Sequence, residues 1–187
     1  DKGGIHTSRN PVVKEALDWA VHIAIALVIG ILIVTFVGQR TIVYGVSMEP
    51  TLHHGDQLIV EKITTRFGSL HHGDIVTIYV PEYLGEGKDY IIKRVIGVEN
   101  DTVEIKDGKV YVNGEVLEEN YINGSTTSPV NPEYSSVKVP KGYIYVLGDN
   151  RLPGASKDSR SIGLIDLKRV KGKALLRFYP FSKFSLF

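Results

Sequence analysis

The sequence has no cysteine, one methionine and one tryptophan in 187 residues, and almost no excess of charge: 22 Lys and Arg against 21 Asp and Glu, a formal +1. Each scarcity excludes something. Without cysteine there are no disulfides, no thiolate metal sites and no cysteine nucleophile, so thiol-dependent transpeptidases such as sortases are excluded. Without a net field or a basic stripe, nothing draws the chain to nucleic acid. Helical periodicity is nearly absent outside one segment. With Asp1 first and Met48 the sole methionine, the sequence reads as a processed chain or a fragment. Its length suits one ordinary domain plus a small appendage.

The exceptional segment is residues 19–37, WAVHIAIALVIGILIVTFV, in which His22 is the one ionisable residue. At about 1.5 Å per residue it spans roughly 30 Å, the thickness of a hydrocarbon core. A helix on a soluble core would keep a polar stripe, and this one has none. A cleaved secretion signal would be shorter and end in small residues, whereas this run ends VGQRT. The expectation is a retained transmembrane anchor. Lys2, Arg9 and Lys14 precede it and Arg40 follows, so the positive-inside bias keeps the N-terminus in the cytoplasm. Residues 1–40 then form tail and anchor, and 41–187 an extracytoplasmic domain. Asp18 and His22 are spaced to pair on one helical face.

Beyond Thr41 the texture changes to short β-branched runs between turn residues. Candidate strands are 57–62, 75–80, 90–98, 102–106, 109–113, 143–147 and 174–179. Asp107-Gly108 and Asn113-Gly114 are hairpin signals. The fold expected is mainly β, a folded-over or barrel-like antiparallel sheet, with a small β insertion over about 100–141. Within it, the polar, turn-rich stretch 120–136 reads as an exposed loop.

Residues 45–56 read GVSMEPTLHHGD, and LHHGD recurs at 70–74. Four histidines suggest zinc, but neighbours on an extended chain face opposite ways, and no HExxH spacing is present. Each Gly-Asp instead precedes an apolar strand, so no metal and no cofactor is expected. Ser47 is a poor nucleophile unless a base accepts its proton. His53 and His54 are near in sequence, which does not make them near in space. A lysine serves if burial lowers its pKa from about 10.4 toward 7–8. Lys93 in DYIIKRVIGVE has Ile91 and Val95 on its own strand face to exclude water. Arg94 beside it stays cationic. Lys62, flanked by Val60 and Thr64, is the rival in a wetter setting. A third cluster, Gly148-Asp149-Asn150-Arg151 with Ser156 to Arg160, follows the strand YIYVL and is dense in opposite charges.

Together these segments resemble the bacterial type I signal peptidases in their compact Gram-positive form, membrane-anchored serine endopeptidases that remove signal peptides from exported preproteins. Ser47 to Leu52 is similar to that family's nucleophile box, Ile92-Lys93-Arg94 with Val95-Ile96-Gly97 to its base box, and 148–151 with 158–160 to its last box. The resemblance implies that Ser47 attacks and neutral Lys93 takes the proton, with Ser156 as the hydroxyl that orients the lysine and Asp149, Asp158 and Arg160 in support. It implies cleavage after Ala-x-Ala, with Met48, Leu52 and Ile92 as pocket lining, preproteins and the lipid bilayer as partners, and a plasma-membrane location. Gly45 stands where some members carry a serine hydroxyl. Four residues, Leu152 to Ala155, separate GDNR from Ser156 where the family usually has two. Phe184, Leu186 and Phe187 are read as membrane-surface contacts, with Phe178 and Phe181 in the core. The competing readings are a membrane-tethered β binding module and a self-cleaving Ser/Lys protease of repressor type.

Overall fold

The computed structural model describes residues 11–33, 38–67 and 69–187 and divides into two compact units, 1–37 and 38–187. Lys2, Arg9 and positions 34–37 of the expected anchor lie outside the described residues. In the first unit, α1 (Pro11–Leu32) is 22 residues long with no buried side chain, long and apolar enough to cross a membrane. His22 Nδ1 meets the Asp18 backbone carbonyl at 2.6 Å, so the pairing across one turn uses the main chain and not the carboxylate.

The second unit is built from short strands. In chain order these are β1 (Gly38–Ile42), β2 (Gln57–Glu61), β3 (Ile75–Tyr79), β4 (Tyr90–Gly97), β5 (Thr102–Lys106), β6 (Lys109–Val112), β7 (Glu115–Val116), β8 (Ser136–Lys138), β9 (Tyr143–Leu147), β10 (Ile165–Asp166), β11 (Val170–Tyr179) and β12 (Ser185–Leu186). Two short helices, α2 (Ile63–Phe67) and α3 (Ser159–Ile162), interrupt them. The larger sheet runs β1-β2-β11-β3-β4-β9-β10 with β12 on β11, and the smaller one, in the insertion, runs β7-β6-β5-β8. The named strands all pair antiparallel. The larger sheet does not close into a barrel, because β1 and β10 keep free edges.

Alternation explains the strands. Leu58 and Val60 of β2, Ile91, Lys93 and Val95 of β4, and Val103 and Ile105 of β5 are buried, and the residues between them, Ile59, Ile92, Arg94 and Glu104, are less so. The β5–β6 and β6–β7 connections are two-residue turns with positive φ at Asp107, Gly108, Asn113 and Gly114, the backbone that Asp-Gly and Asn-Gly tolerate best. β11 begins at Val170, four residues before its expected start. Lys171 and Lys173 mask the signal, but Val170, Gly172 and Ala174 face inward and strands β2 and β3 pair on either side. Three apolar clusters form the core; one packs Val43, Met48, Leu52, Leu58, Val60 and Ile75 under the segment that carries Ser47.

Both LHHGD copies form the same turn. Asp56 Oδ2 accepts from the His53 N–H at 3.0 Å and Asp74 Oδ2 from the His71 N–H at 2.9 Å, with Gly55 and Gly73 at positive φ. Among the described residues, no three His, Asp or Glu side chains gather as metal ligands would.

Candidate active site

Ser47 sits in a turn between β1 and β2, held from below by its neighbours. Met48 and Leu52 are 2% and 0% exposed, and the Leu52 N–H donates to the Met48 carbonyl at 2.8 Å. Sinking these two side chains into the core leaves Ser47 at the wall of an open cleft of about 1230 Å³, which Tyr44, Val46, Met48 and Ile92 also line. Leu52 is therefore a core residue and not pocket lining: it is wholly buried and does not reach the cleft.

Lys93 enters from β4, where alternation turns it to the same side as Ile91 and Val95. It is 2% exposed, with Nζ 2.7 Å from Ser47 Oγ and donating to the Ile92 carbonyl at 2.8 Å. Burial pushes its pKa from 10.5 down to about 8; the Asp158 and Asp149 charges pull it back up and Arg160 adds to the lowering. Lys62 lines the same cleft, half-buried, and makes no hydrogen bond to Ser47. The histidines are not partners of Ser47 either: His54 Nδ1 accepts from the Gly45 N–H at 3.2 Å, and His72 Nε2 lies 2.6 Å from Asp101. Among the described residues, nothing engages the Ser47 backbone N–H.

The loop after β9 braces this pair with buried ions. Asp149 takes both arms of Arg94, Nε to Oδ1 at 2.8 Å and Nη2 to Oδ2 at 2.6 Å, and also accepts from the Thr51 hydroxyl at 2.5 Å. Arg160 forks onto Asp158 at 2.9 and 2.8 Å. Burial alone would raise the Asp158 carboxyl; its Arg160 bonds, the Gly148 N–H and the Ser156 hydroxyl outweigh this and hold it below the ordinary carboxylate value. Asn150 reaches the reactive turn directly, its N–H donating to the Ser47 carbonyl at 3.0 Å and Nδ2 to the Val46 carbonyl at 3.1 Å. A Cβ on Gly148 would overlap the Ser156 hydroxyl and the Ser47 carbonyl, so only glycine fits there.

Ser156 differs from expectation. Its hydroxyl donates to Asp158 Oδ2 at 2.7 Å and makes no hydrogen bond to Lys93. Of the widened segment, Ala155 reaches the cleft wall, as does Lys157 beyond it, whose Nζ donates to the Tyr83 carbonyl at 2.6 Å.

The stretch 120–136 exposes many of its residues, as expected, but is pinned at several points: Tyr121 lies against Arg94, Asn123 bridges Asn150 and Thr127 is buried, and just before it Glu119 pairs with Arg151. Its polar composition hid this, because a buried polar residue with partners looks like an exposed one in sequence. Phe178 is half-buried, while Phe181 is 80% exposed and not in the core. The strand does hold the reactive turn through Arg177, which donates to the Thr51 carbonyl at 2.9 Å and Asp56 Oδ2 at 2.7 Å.

A serine hydroxyl thus stands 2.7 Å from a buried amine on the wall of a cleft in a mainly antiparallel β unit. Comparison with known proteins narrows the class to a peptidase. The family described as "Signal peptidase, peptidase S26" matches residues 16–179. Signal peptidase I of Bacillus licheniformis is 38% identical over 178 residues, covering 91% of this chain and 92% of that protein. Signal peptidase IB of Staphylococcus aureus is 39% identical over 185 residues, covering 91% and 93%. A solved signal peptidase I from Enterococcus faecalis is 30% identical, covering 56% of this chain and 96% of that one, with a TM-score of 0.45. The chain belongs to the signal peptidase family, peptidase S26, whose chemistry is the cleavage of signal peptides.

Proposed function

We propose that the protein is a membrane-tethered serine endopeptidase in which Ser47 is the nucleophile and neutral Lys93 its general base. The observation that carries this reading is the 2.7 Å approach of Lys93 Nζ to Ser47 Oγ inside an apolar enclosure. An amine with its pKa lowered to about 8 is neutral in a useful fraction of molecules near neutrality. Its lone pair takes the hydroxyl proton as Oγ attacks the scissile carbonyl, and the resulting ammonium delivers that proton to the leaving amine. The Ser47 N–H, unengaged by described residues, donates to the developing oxyanion. Gly45 has no hydroxyl to add, so a second donor is missing or comes from elsewhere.

Met48 and Ile92 give the cleft beside the pair shallow apolar walls, suited to small residues of Ala-x-Ala type before the scissile bond. Helix α1 tethers the enzyme to the plasma membrane with its N-terminus in the cytoplasm and the catalytic unit outside, where exported preproteins emerge. Phe184, Leu186 and Phe187, at the surface of the C-terminal hairpin, add contact with the bilayer. Deleting residues 183–187 weakens liposome partitioning if they do so; unchanged partitioning ends that part of the reading.

The test uses detergent-solubilised protein and a fluorogenic peptide bearing an Ala-x-Ala site. Wild type is compared with Ser47→Ala, with Lys93→Met, and with His53, His54, His71 and His72 all replaced by Ala. The expected result is two inactive variants and an active histidine variant. Cleavage by Lys93→Met, or loss of activity with the histidines, overturns the dyad. A merely binding module would cleave in no form.

A further inference from the structure

The loop that follows β7 within the insertion touches neither Ser47 nor Lys93, yet it braces the backbone next to both. On one side stands Arg151, whose side chain is fully buried and therefore demands partners. Both Glu119 oxygens take it, Nη1 to Oε2 at 3.0 Å and Nη2 to Oε1; Thr127 Oγ1 accepts at 2.6 Å and the Gly148 carbonyl at 2.7 Å. Asn123 locks into the same loop through the main chain, its N–H donating to the Asp149 carbonyl and its carbonyl accepting from the Arg151 N–H, each at 2.9 Å. Between these anchors lies Asn150, which holds the carbonyls of Val46 and Ser47. On the other side, the Tyr121 ring stacks on the Arg94 guanidinium at 4.0 Å, opposite the Asp149 fork, and its hydroxyl donates to Glu119 Oε1 at 3.0 Å. Arg94 follows Lys93 on β4.

We propose that residues 117–127 of the insertion are a positioning element for the cleavage reaction: Glu119 sets the Asn150 and Arg151 segment against the Ser47 backbone, and Tyr121 fixes Arg94 and with it the strand that aims Lys93. This rests on the Ser47 and Lys93 reading above. A reactive pair 2.7 Å apart loses its in-line geometry when either backbone drifts by a fraction of an ångström, whereas a substrate held along an open cleft is bound almost as well. The insertion thereby gains a role in turnover and not in recognition. Tyr121 and Glu119 are positioning residues, since neither touches the reacting atoms.

The experiment uses the full chain in detergent and the Ala-x-Ala peptide, with the folded fraction of each variant measured in the same sample. Tyr121→Leu removes the stacked ring without stranding a charge, because Arg94 keeps Asp149 and the Gly73 carbonyl. Its kcat should fall on the order of tenfold with KM changed less than about twofold. Tyr121→Phe keeps the ring and should restore kcat to within about twofold of wild type. Glu119→Gln, which keeps the shape but not the charge, should also lower kcat at constant KM. A purely architectural loop predicts instead that activity per folded molecule is unchanged, and that result for Tyr121→Leu overturns the proposal even if Glu119→Gln does not fold. Ser47→Ala runs alongside. If it still cleaves, both the dyad and the positioning role fall; if it is dead while the loop variants keep wild-type kcat, the positioning role alone falls.

Discussion

Lys93 and Arg94 are consecutive bases on β4, and the protein treats them in opposite ways. Lys93 is turned to the side of Ile91 and Val95, with a serine hydroxyl and a carbonyl as its polar contacts and, among the described residues, no carboxylate in bonding reach; burial takes its pKa down to about 8. Arg94 is turned to the loop side. Burial alone would lower its pKa too, but the Asp149 fork more than offsets this and holds it above its ordinary value. The lesson is that burial decides nothing by itself. A buried base whose charge is fully paired becomes a brace, and one that carboxylates reach only from a distance becomes a titratable group near neutral pH. The strand's alternation makes both possible within one dipeptide.

The comparison can be broken most severely by Lys93→Arg, which puts a permanently charged guanidinium into the uncompensated enclosure. Cleavage should fall by about 10³ or more, because no neutral base remains, and any folded protein should be strongly destabilised. Next, Arg94→Ala strands the Asp149 carboxylate, which is 0% exposed; unfolding in urea should become easier by about 3–5 kcal/mol. Lys93→Met acts in the opposite direction. Between pH about 8 and 10.5 the unfolded chain still binds the Lys93 proton that the native state has released, so wild-type stability rises with pH across that window. Below it the native state carries the cost in full, and Lys93→Met should be the more stable protein by about 3 kcal/mol, an advantage that disappears as the pH reaches the upper end. Denaturant melts at two pH values check both parts.

The smallest effect sharpens the contrast. If the neutral amine is the base, kcat/KM rises with pH to a plateau with its midpoint near 8. Asp158 supports the charged form of Lys93 from a distance, so Asp158→Asn should move that midpoint to lower pH in whatever protein remains folded. A midpoint that moves up, or a profile that falls above neutrality, contradicts the assignment of the titration to Lys93.

Much of this was legible in the sequence where the information is local. The apolar run of α1 needs no partner to declare itself, and the Asp-Gly and Asn-Gly turns follow from the residues that accept positive φ. Alternation in YIIKRVIG is enough to separate the faces of Lys93 and Arg94. Strand β11 was half hidden, because Lys171 and Lys173 look like a loop until β2 and β3 pair with them. Leu52 read as pocket and is core; Ser156 read as the hydroxyl that orients the lysine and bonds Asp158.

By itself, then, the sequence determined the apolar helix, the β character of the rest, the turns, and which residues had the chemistry to matter. Tertiary structure decided which of them meet. Ser47 and Lys93 are 46 positions apart, Arg94 and Asp149 55, Glu119 and Arg151 32. A residue's type states how many hydrogen bonds and how much charge it must satisfy, but the partner is chosen by distance and burial, and those exist only once the sheets have paired.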